Sequence, residues 1–335
     1  MAAYNSLPEV EYAEPNFIAH AFPDAPVVSA TAPDDLKPSA ASVNDPNANQ
    51  QYSLTKMQVY DAWDLSKGDS VVIAVLDTGA DFTHPDLQGK FVSRGKDFIN
   101  RDDDATDDHG HGTHCAGTIA AEANGVGVVG VAPHAQLYAL KVLDANGSGY
   151  SSNIIAAVQW CIQNGIQVTS NSYGSSTDMG TSMKQAFDNA AAIGIVNVAA
   201  AGNSGTSAGT ENTVGYPAQY ASVIAVAATD GSDVRAYWSS TGPAVEIAAP
   251  GVSILSTLKG GGYGYMSGTS MACPHAAGAA AVLISAGLTH ADDVRYALDM
   301  SALDLGVAGQ DTWYGYGRID LSTALSALTP PPPPP

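Results

Sequence analysis

The sequence predicts an α/β fold with a doubly wound, mostly parallel central sheet flanked by helices. Two observations carry this expectation. Five short apolar runs lack the polar alternation of a half-exposed strand, as parallel strands buried on both faces do. They alternate with Ala-rich stretches of helical length, the order of a βαβ sheet. A chain of 335 residues that is 45% apolar can fill one large core of this kind.

The first strand is expected over Val71 to Leu76 and ends at Asp77-Thr-Gly79. A helix over Thr113 to Ala123 follows, then a strand over Gln136 to Val142 and a helix over Ser151 to Asn164. Gln167 to Asn171 and Ile195 to Ala200 read as strands on either side of a helix over Thr181 to Ile193. A strand over Val223 to Ala227 and a long Ala-rich helix over Ser270 to Ala286 complete the pattern. Binding crevices in such sheets lie beyond the carboxyl ends of the strands, so chemistry is sought there.

The two ends differ from this middle. Residues 21 to 50 are crowded with Pro, Ala, Ser, Asp and Asn and read as a linker. Before them, Val10 to Ile18 holds one strand pattern too small to fold alone. Pro330 to Pro335 is a stiff polyproline spacer. Met1 to Pro15 lacks a cationic start and an apolar run, so it is not a signal peptide. The longest apolar stretches, Ile193 to Ala201 and Ala276 to Leu288, are too short to span a bilayer.

Acidic residues number 33 against 13 Lys and Arg, a net charge of -20. A nucleic-acid binder needs a basic footprint, and anionic membranes repel such a chain, so neither partner is expected. Acids gathered locally suit hard cations instead. Cys115, Cys161 and Cys273 are too widely spaced for a zinc site or a disulfide scaffold, and three thiols cannot all pair within one chain.

Three motifs carry chemistry. Asp77 closes the first strand, His109-Gly-His111-Gly-Thr-His114-Cys115 opens a helix, and Ser267-Gly-Thr-Ser270-Met-Ala-Cys-Pro-His275 opens another. Taken singly, an acid or serine at such a place is most often a cap or turn residue. Together, Asp, His and Ser at strand ends and helix starts supply an orienting carboxylate, a general base and a nucleophile. Ala199-Ala-Ala-Gly-Asn203-Ser-Gly205 adds an amide at a further strand end, the donor that a developing oxyanion requires.

These motifs, in this order, resemble those of subtilisin-like serine proteases, and within them the thermitase-like branch, over residues 45 to 328. The resemblance implies a secreted, calcium-stabilised endopeptidase with Asp77 as orienting acid, His111 as base, Ser270 as nucleophile and Asn203 in the oxyanion hole. His114 is then structural. Gly147-Ser148-Gly149 and Ser172-Tyr173-Gly174 resemble the two edges that pair with an extended peptide substrate. Ser172 to Ser175, Ala200, Ala201, Gly202 and Gly215 line the first specificity pocket, and Tyr150 walls a second one. Protein and peptide substrates, broad specificity with a large apolar residue at P1 (the residue whose carbonyl is attacked), and a monomer are expected.

The resemblance also gives the acids a use. Asp97, Asn100, Asp102, Asp104 and Thr106 match a calcium loop of the thermitase-like branch. A tighter Ca²⁺ site is implied at Asp45, Asp86 and Asn124, with carbonyls of Glu122, Val126 and Val128, and a weak one near Asp230. Val10 to Ala21 resembles the last strand of the family's inhibitory propeptide. The expected organisation is therefore a propeptide remnant and linker over residues 1–44, a catalytic domain over 45–328 and a polyproline linker over 329–335, with maturation near residues 40 to 47.

Competing readings are a zinc hydrolase built on His109, His111 and His114, and an inactive subtilase-like module that binds partners. Gly125-Val-Gly127-Val-Val-Gly130 fits a dinucleotide fingerprint but follows a helix and precedes a strand, the reverse of the context that motif needs.

Overall fold

The computed structural model describes residues 5, 7, 10–22 and 43–328. The polyproline run and most of the linker lie outside the described residues. The strands are β1 (Ile18–Ala21), β2 (Val72–Asp77), β3 (Lys96–Asp97), β4 (Gln136–Lys141), β5 (Ser148–Tyr150), β6 (Val168–Asn171), β7 (Tyr173–Gly174), β8 (Val196–Ala200), β9 (Ile224–Thr229), β10 (Val245–Pro250), β11 (Ile254–Leu258) and β12 (Gly262–Met266). The α-helices are α1 (Tyr52–Lys56), α2 (Val59–Ala62), α3 (His111–Ala120), α4 (Ser151–Gln163), α5 (Gly180–Ala192), α6 (Thr269–Ser285), α7 (Ala291–Ser301) and α8 (Leu321–Ser326).

Seven strands form one sheet in the order β10-β9-β8-β6-β2-β4-β3, every neighbouring pair parallel. Alternate residues of each strand divide the interior into two cores. Ile73 and Val75 of β2, Val196 and Val198 of β8 and Ile224 and Val226 of β9 pack with α3 and α6. Ala74, Leu76, Ala199, Ala225 and Ala227 pack on the other face with α4 and α5. This is the doubly wound arrangement expected, and it explains why the strands show no polar alternation. The strand order reverses at β2, with β4 on one side and β6 on the other, so the crevice falls after Asp77 and Asn171.

Helix α6 is buried on nearly every side. That is why its sequence is Ala-rich and shows no amphipathic stripe. Pro274 inside it lacks an N–H and leaves the Ser270 carbonyl without its helical partner. Ser172 Oγ (3.0 Å) and Cys115 Sγ (3.5 Å) donate to that carbonyl instead, and so tie α6 to the crossover after β6 and to α3.

Several elements differ from expectation. Helix α3 begins at His111 rather than Thr113 and ends at Ala120, where Ala121 turns to extended geometry. Strand β10 is not among the expected strands because Glu246 interrupts its apolar run, yet Glu246 is buried and paired in fork geometry with Arg295 of α7. The β11–β12 hairpin and the polar helix α7 lack the apolar runs that marked the other elements.

Candidate active site

Asp77 ends β2 fully buried, and its Oδ1 accepts the Thr78 N–H at 2.7 Å. Both carboxylate oxygens face His111 Nδ1, at 2.8 and 2.9 Å. Gly112 makes this close approach possible. A Cβ there would sit 2.2 Å from the Gly79 carbonyl and 3.1 Å from Asp77 Cβ. The start of α3 is held by Asp107, whose buried carboxylate accepts the N–H groups of His109, Gly110 and Thr113 and the hydroxyls of Thr78 and Thr113. Burial opposes charge on His111, but Asp77 beside it prevails and the imidazole pKa is raised well above its ordinary value. His111 Nε2 is buried without a hydrogen-bond partner among the described residues.

Lys141 of β4 stands in register with Asp77. Its buried ammonium donates to the carbonyls of Thr78 and Leu143 and to Asp108 Oδ1, which ties the turn after β2 to the segment before α3. Neither Asp107 nor Lys141 is among the residues expected from the sequence, since Asp107, four residues before His111, stands in a run of acids with no local sign that distinguishes it.

Ser270 is the second residue of α6, where helical N–H groups point outward. Its Oγ donates to the Ser172 carbonyl at 3.1 Å. Cys115 Sγ lies between the two elements, 4.0 Å from His111 Nδ1 and 3.5 Å from the Ser270 carbonyl. Asn203 Oδ1 accepts from Thr269 N–H (3.0 Å) and Thr269 Oγ (2.9 Å). With its oxygen fixed there, the amide turns Nδ2 toward the start of α6, 3.2 Å from where a Cβ on Gly268 would lie. The four chemical positions named from the sequence thus gather at one edge of the sheet.

The chain's own N-terminal segment lies in the crevice. Strand β1 sits antiparallel between β5 and β7, with Ile18, Ala19 and His20 opposite Tyr150, Gly149 and Ser148, and His20 and Ala21 opposite Gly174 and Tyr173. The two edges expected to bind an extended peptide therefore hold one. Phe22 follows β1 and enters a pocket lined by Ser175, Gly202, Val214 and Gly215, with Asn212 and Gln219 as walls the sequence had not indicated. Built Cβ atoms on Gly174, Gly202 and Gly215 would lie 2.5, 3.5 and 3.6 Å from the Phe22 Cζ, so these glycines make the room for its ring. None of the described lining residues of this pocket is charged. Ala19 is fully buried in the core cluster that contains Leu143 and Ile154, while Tyr150, opposite Ile18, is half exposed.

Of the expected calcium ligands, Asp45 and Asp86 grip one loop from two sides. Asp45 Oδ1 accepts the N–H groups of Asn124 and Gly125, and Asp86 Oδ2 that of Val128. Their other oxygens, Asp45 Oδ2 and Asp86 Oδ1, are buried with no hydrogen-bond partner among the described residues. Two orphaned carboxylate oxygens on one loop fit a bound cation. Asn124 Oδ1 accepts from Val126 N–H, and the Glu122 side chain pairs with Lys90.

The 97–106 loop is closed differently. Asp97 binds the amides of Ile99 and Asn100 and the Asn100 side chain, and Asp102 accepts from Asp104 N–H. Asp104 and Thr106 are held by the Arg94 guanidinium. Asp230 Oδ1 is engaged in its own turn by the N–H groups of Ser232 and Val234.

The three histidines do not converge. His114 turns to the Ile254 carbonyl at 3.0 Å and is pushed down to about 3 by burial, whereas His109 stands 6.3 Å from His111 ring to ring. Among the described residues the one group with metal-ligand proximity is Asp77, His111 and Cys115, which is the site already described. All three cysteines are free thiols and buried. Among the described residues no helix is long and apolar enough to cross a membrane.

Residues 68–317 match the Subtilase family of peptidases. Subtilisin DY of Bacillus licheniformis is 48% identical over 259 residues, covering 77% of this chain and 92% of its own length. The thermophilic serine proteinase of Bacillus sp. strain AK1 is 41% identical over 326 residues, 97% of this chain and 75% of its own. Thermitase of Thermoactinomyces vulgaris is 40% identical over 284 residues, 84% of this chain and 98% of its own.

Proposed function

Since the chain belongs to the subtilase family and is a serine endopeptidase of the subtilisin kind, we propose that Ser270 is its nucleophile, His111 its general base, Asp77 the orienting acid and Asn203 an oxyanion donor. The observation that carries this assignment is the extended peptide already held in the crevice: β1 pairs with β5 and β7, and Phe22 sits in a pocket whose Gly202 and Ser204 flank Asn203 and whose Gly202 N–H donates to Thr269, the residue before Ser270.

In the reaction, Ser270 Oγ leaves the Ser172 carbonyl, turns to His111 Nε2 and attacks the substrate carbonyl while Nε2 takes its proton. Asp77 holds Nδ1–H and stabilises the imidazolium. Asn203 Nδ2 and the Ser270 N–H receive the oxyanion, and His111 then protonates the leaving amine to give an acyl-enzyme that water resolves.

An uncharged pocket shaped around Phe22 supports an aromatic or large apolar P1 preference. The spaced edges β5 and β7 read main chain and support broad specificity. The orphaned oxygens of Asp45 and Asp86 support a calcium ion there, with Asn124 and carbonyls of Glu122, Val126 and Val128 as further ligands. A cation at that place neutralises two buried carboxylates and fastens the loop. The 97–106 loop is a weaker candidate, because Arg94 already neutralises Asp104.

Residues 1–44 act as inhibitory propeptide and folding aid, 45–328 as catalytic domain and 329–335 as linker, in a secreted monomer. Pro23 follows Phe22. A prolyl nitrogen carries no N–H, and its ring carbon bulks the very atom His111 must protonate, so the bond after Phe22 resists cleavage. Maturation therefore falls downstream, near residues 40 to 47. Casein hydrolysis by the purified chain tests the assignment. It is expected to vanish in Ser270→Ala, and a Ser270→Ala chain that digests casein as fast as wild type refutes it.

A further inference from the structure

The N-terminal segment extends past the crevice to two helix starts. Counting back from Phe22 at P1 makes Asn16 P7 and Glu14 P9. Helices α4 and α5 each span 13 residues, and neither has a side-chain cap from its own N-cap residue, Tyr150 or Met179. Asn16 Oδ1 accepts the Ser152 N–H and the Ser151 hydroxyl, each at 3.0 Å, and Asn16 Nδ2 donates to Ser152 Oγ. The backbone of Phe17 pairs with Ser151 in both directions. Two residues of extended chain advance about 7 Å, and the residue two before Asn16 is Glu14. Its carboxylate accepts the N–H groups of Thr181 (2.8 Å) and Ser182 (2.6 Å) at the start of α5. The Gly180 N–H ahead of them is taken by Asp178. A Cβ on Gly180 would lie 2.4 Å from Glu14 Oε2, so that glycine keeps the seat open. Burial works against charge on Glu14, yet the bonds from Ser182 and Thr181 leave its carboxyl below the usual range.

We propose that the substrate cleft continues along these two helix starts, and that once the N-terminal segment has left, they form an exosite favouring protein substrates with Asn at P7 and a carboxylate at P9. The proposal rests on the protease reading above and names its substrate class. Unsatisfied amides at a helix start attract an anion, and two of them converge on one carboxylate here.

The test uses the enzyme formed when the full chain processes itself. Its substrates are peptides that copy residues 14–22 followed by Ser-Ser-Gly, with Glu, Ala or Lys at P9 and Asn or Ala at P7. Replacing Glu by Ala at P9 is expected to lower kcat/KM about two- to five-fold, and Lys further, with the difference shrinking in molar salt. Thr181→Pro removes one of the two amides at a position where proline suits the first helical turn, so the Glu-to-Ala ratio is expected to fall toward one. Equal kcat/KM for Glu, Ala and Lys at P9, or an undiminished ratio in Thr181→Pro, overturns the exosite while leaving the protease reading intact. An enzyme inactive on a tetrapeptide anilide with Phe at P1 overturns both.

Discussion

The P1 pocket can be weighed through the ligand it already holds. A synthetic peptide of residues 10–22 is expected to inhibit the processed enzyme competitively, because its product-like end places Phe22 among Gly174, Gly202 and Gly215. Phe22→Ala in that peptide removes the ring. Full burial of a Phe side chain is worth about 1.5 to 3 kcal/mol, and Phe22 is only partly buried. The inhibition constant should therefore rise roughly 10-fold, and at most about 100-fold. Gly215→Val fills the floor of the pocket 3.6 Å from the ring. In that enzyme the two peptides should inhibit almost equally, since the mutations share one contact and cannot add independently. The assay is inhibition of tetrapeptide anilide hydrolysis. A change below about three-fold on losing the ring, where even partial burial predicts more, or the same change in both enzymes, refutes this placement of P1.

Other perturbations follow from the same geometry. Asp77 raises the His111 pKa against burial, so the acid limb of kcat/KM is expected above the ordinary histidine value. In Asp77→Asn the limb should move to lower pH, with kcat lower by a factor on the order of 10⁴ as the imidazole loses its orienting partner. A pH profile checks both. Chelator is expected to lower Tm by emptying the Asp45 and Asp86 site, a loss of about 2.7 kcal/mol of stability if calcium had stood at 100 times its Kd. Asp45→Asn should blunt the chelator effect in a thermal melt. Asp299 is pushed up to about 7 by burial and by Glu246 nearby. The folded state thus holds a proton that the unfolded state releases near pH 4, and stability falls as pH rises between these values. Asp299→Asn is expected to raise Tm at pH 8 and to change it little at pH 4.

The sheet was legible because strands buried on both faces leave unbroken apolar runs, and Asp77, His111, Asn203 and Ser270 were legible because each stands where such a sheet exposes chain ends. What escaped the sequence was set by partners distant in the chain. Glu246 looked like a break in a strand until Arg295, 49 residues away, neutralised it. Lys141 looked like an ordinary basic residue, although its ammonium joins the turn after β2 to the segment before α3. Glu14 and Asn16 lay in a stretch read only as a strand pattern. Their purpose depends on helix starts more than 130 residues downstream, which no local pattern reveals.

The mechanism depends on Ser270 as the nucleophile. Mass spectrometry of the processed enzyme after treatment with a sulfonyl fluoride checks that assignment. One adduct per chain is expected, on the peptide bearing Ser270, with loss of activity in proportion and no adduct in Ser270→Ala. Complete inactivation with the adduct on another residue, or full activity with Ser270 modified, would contradict it.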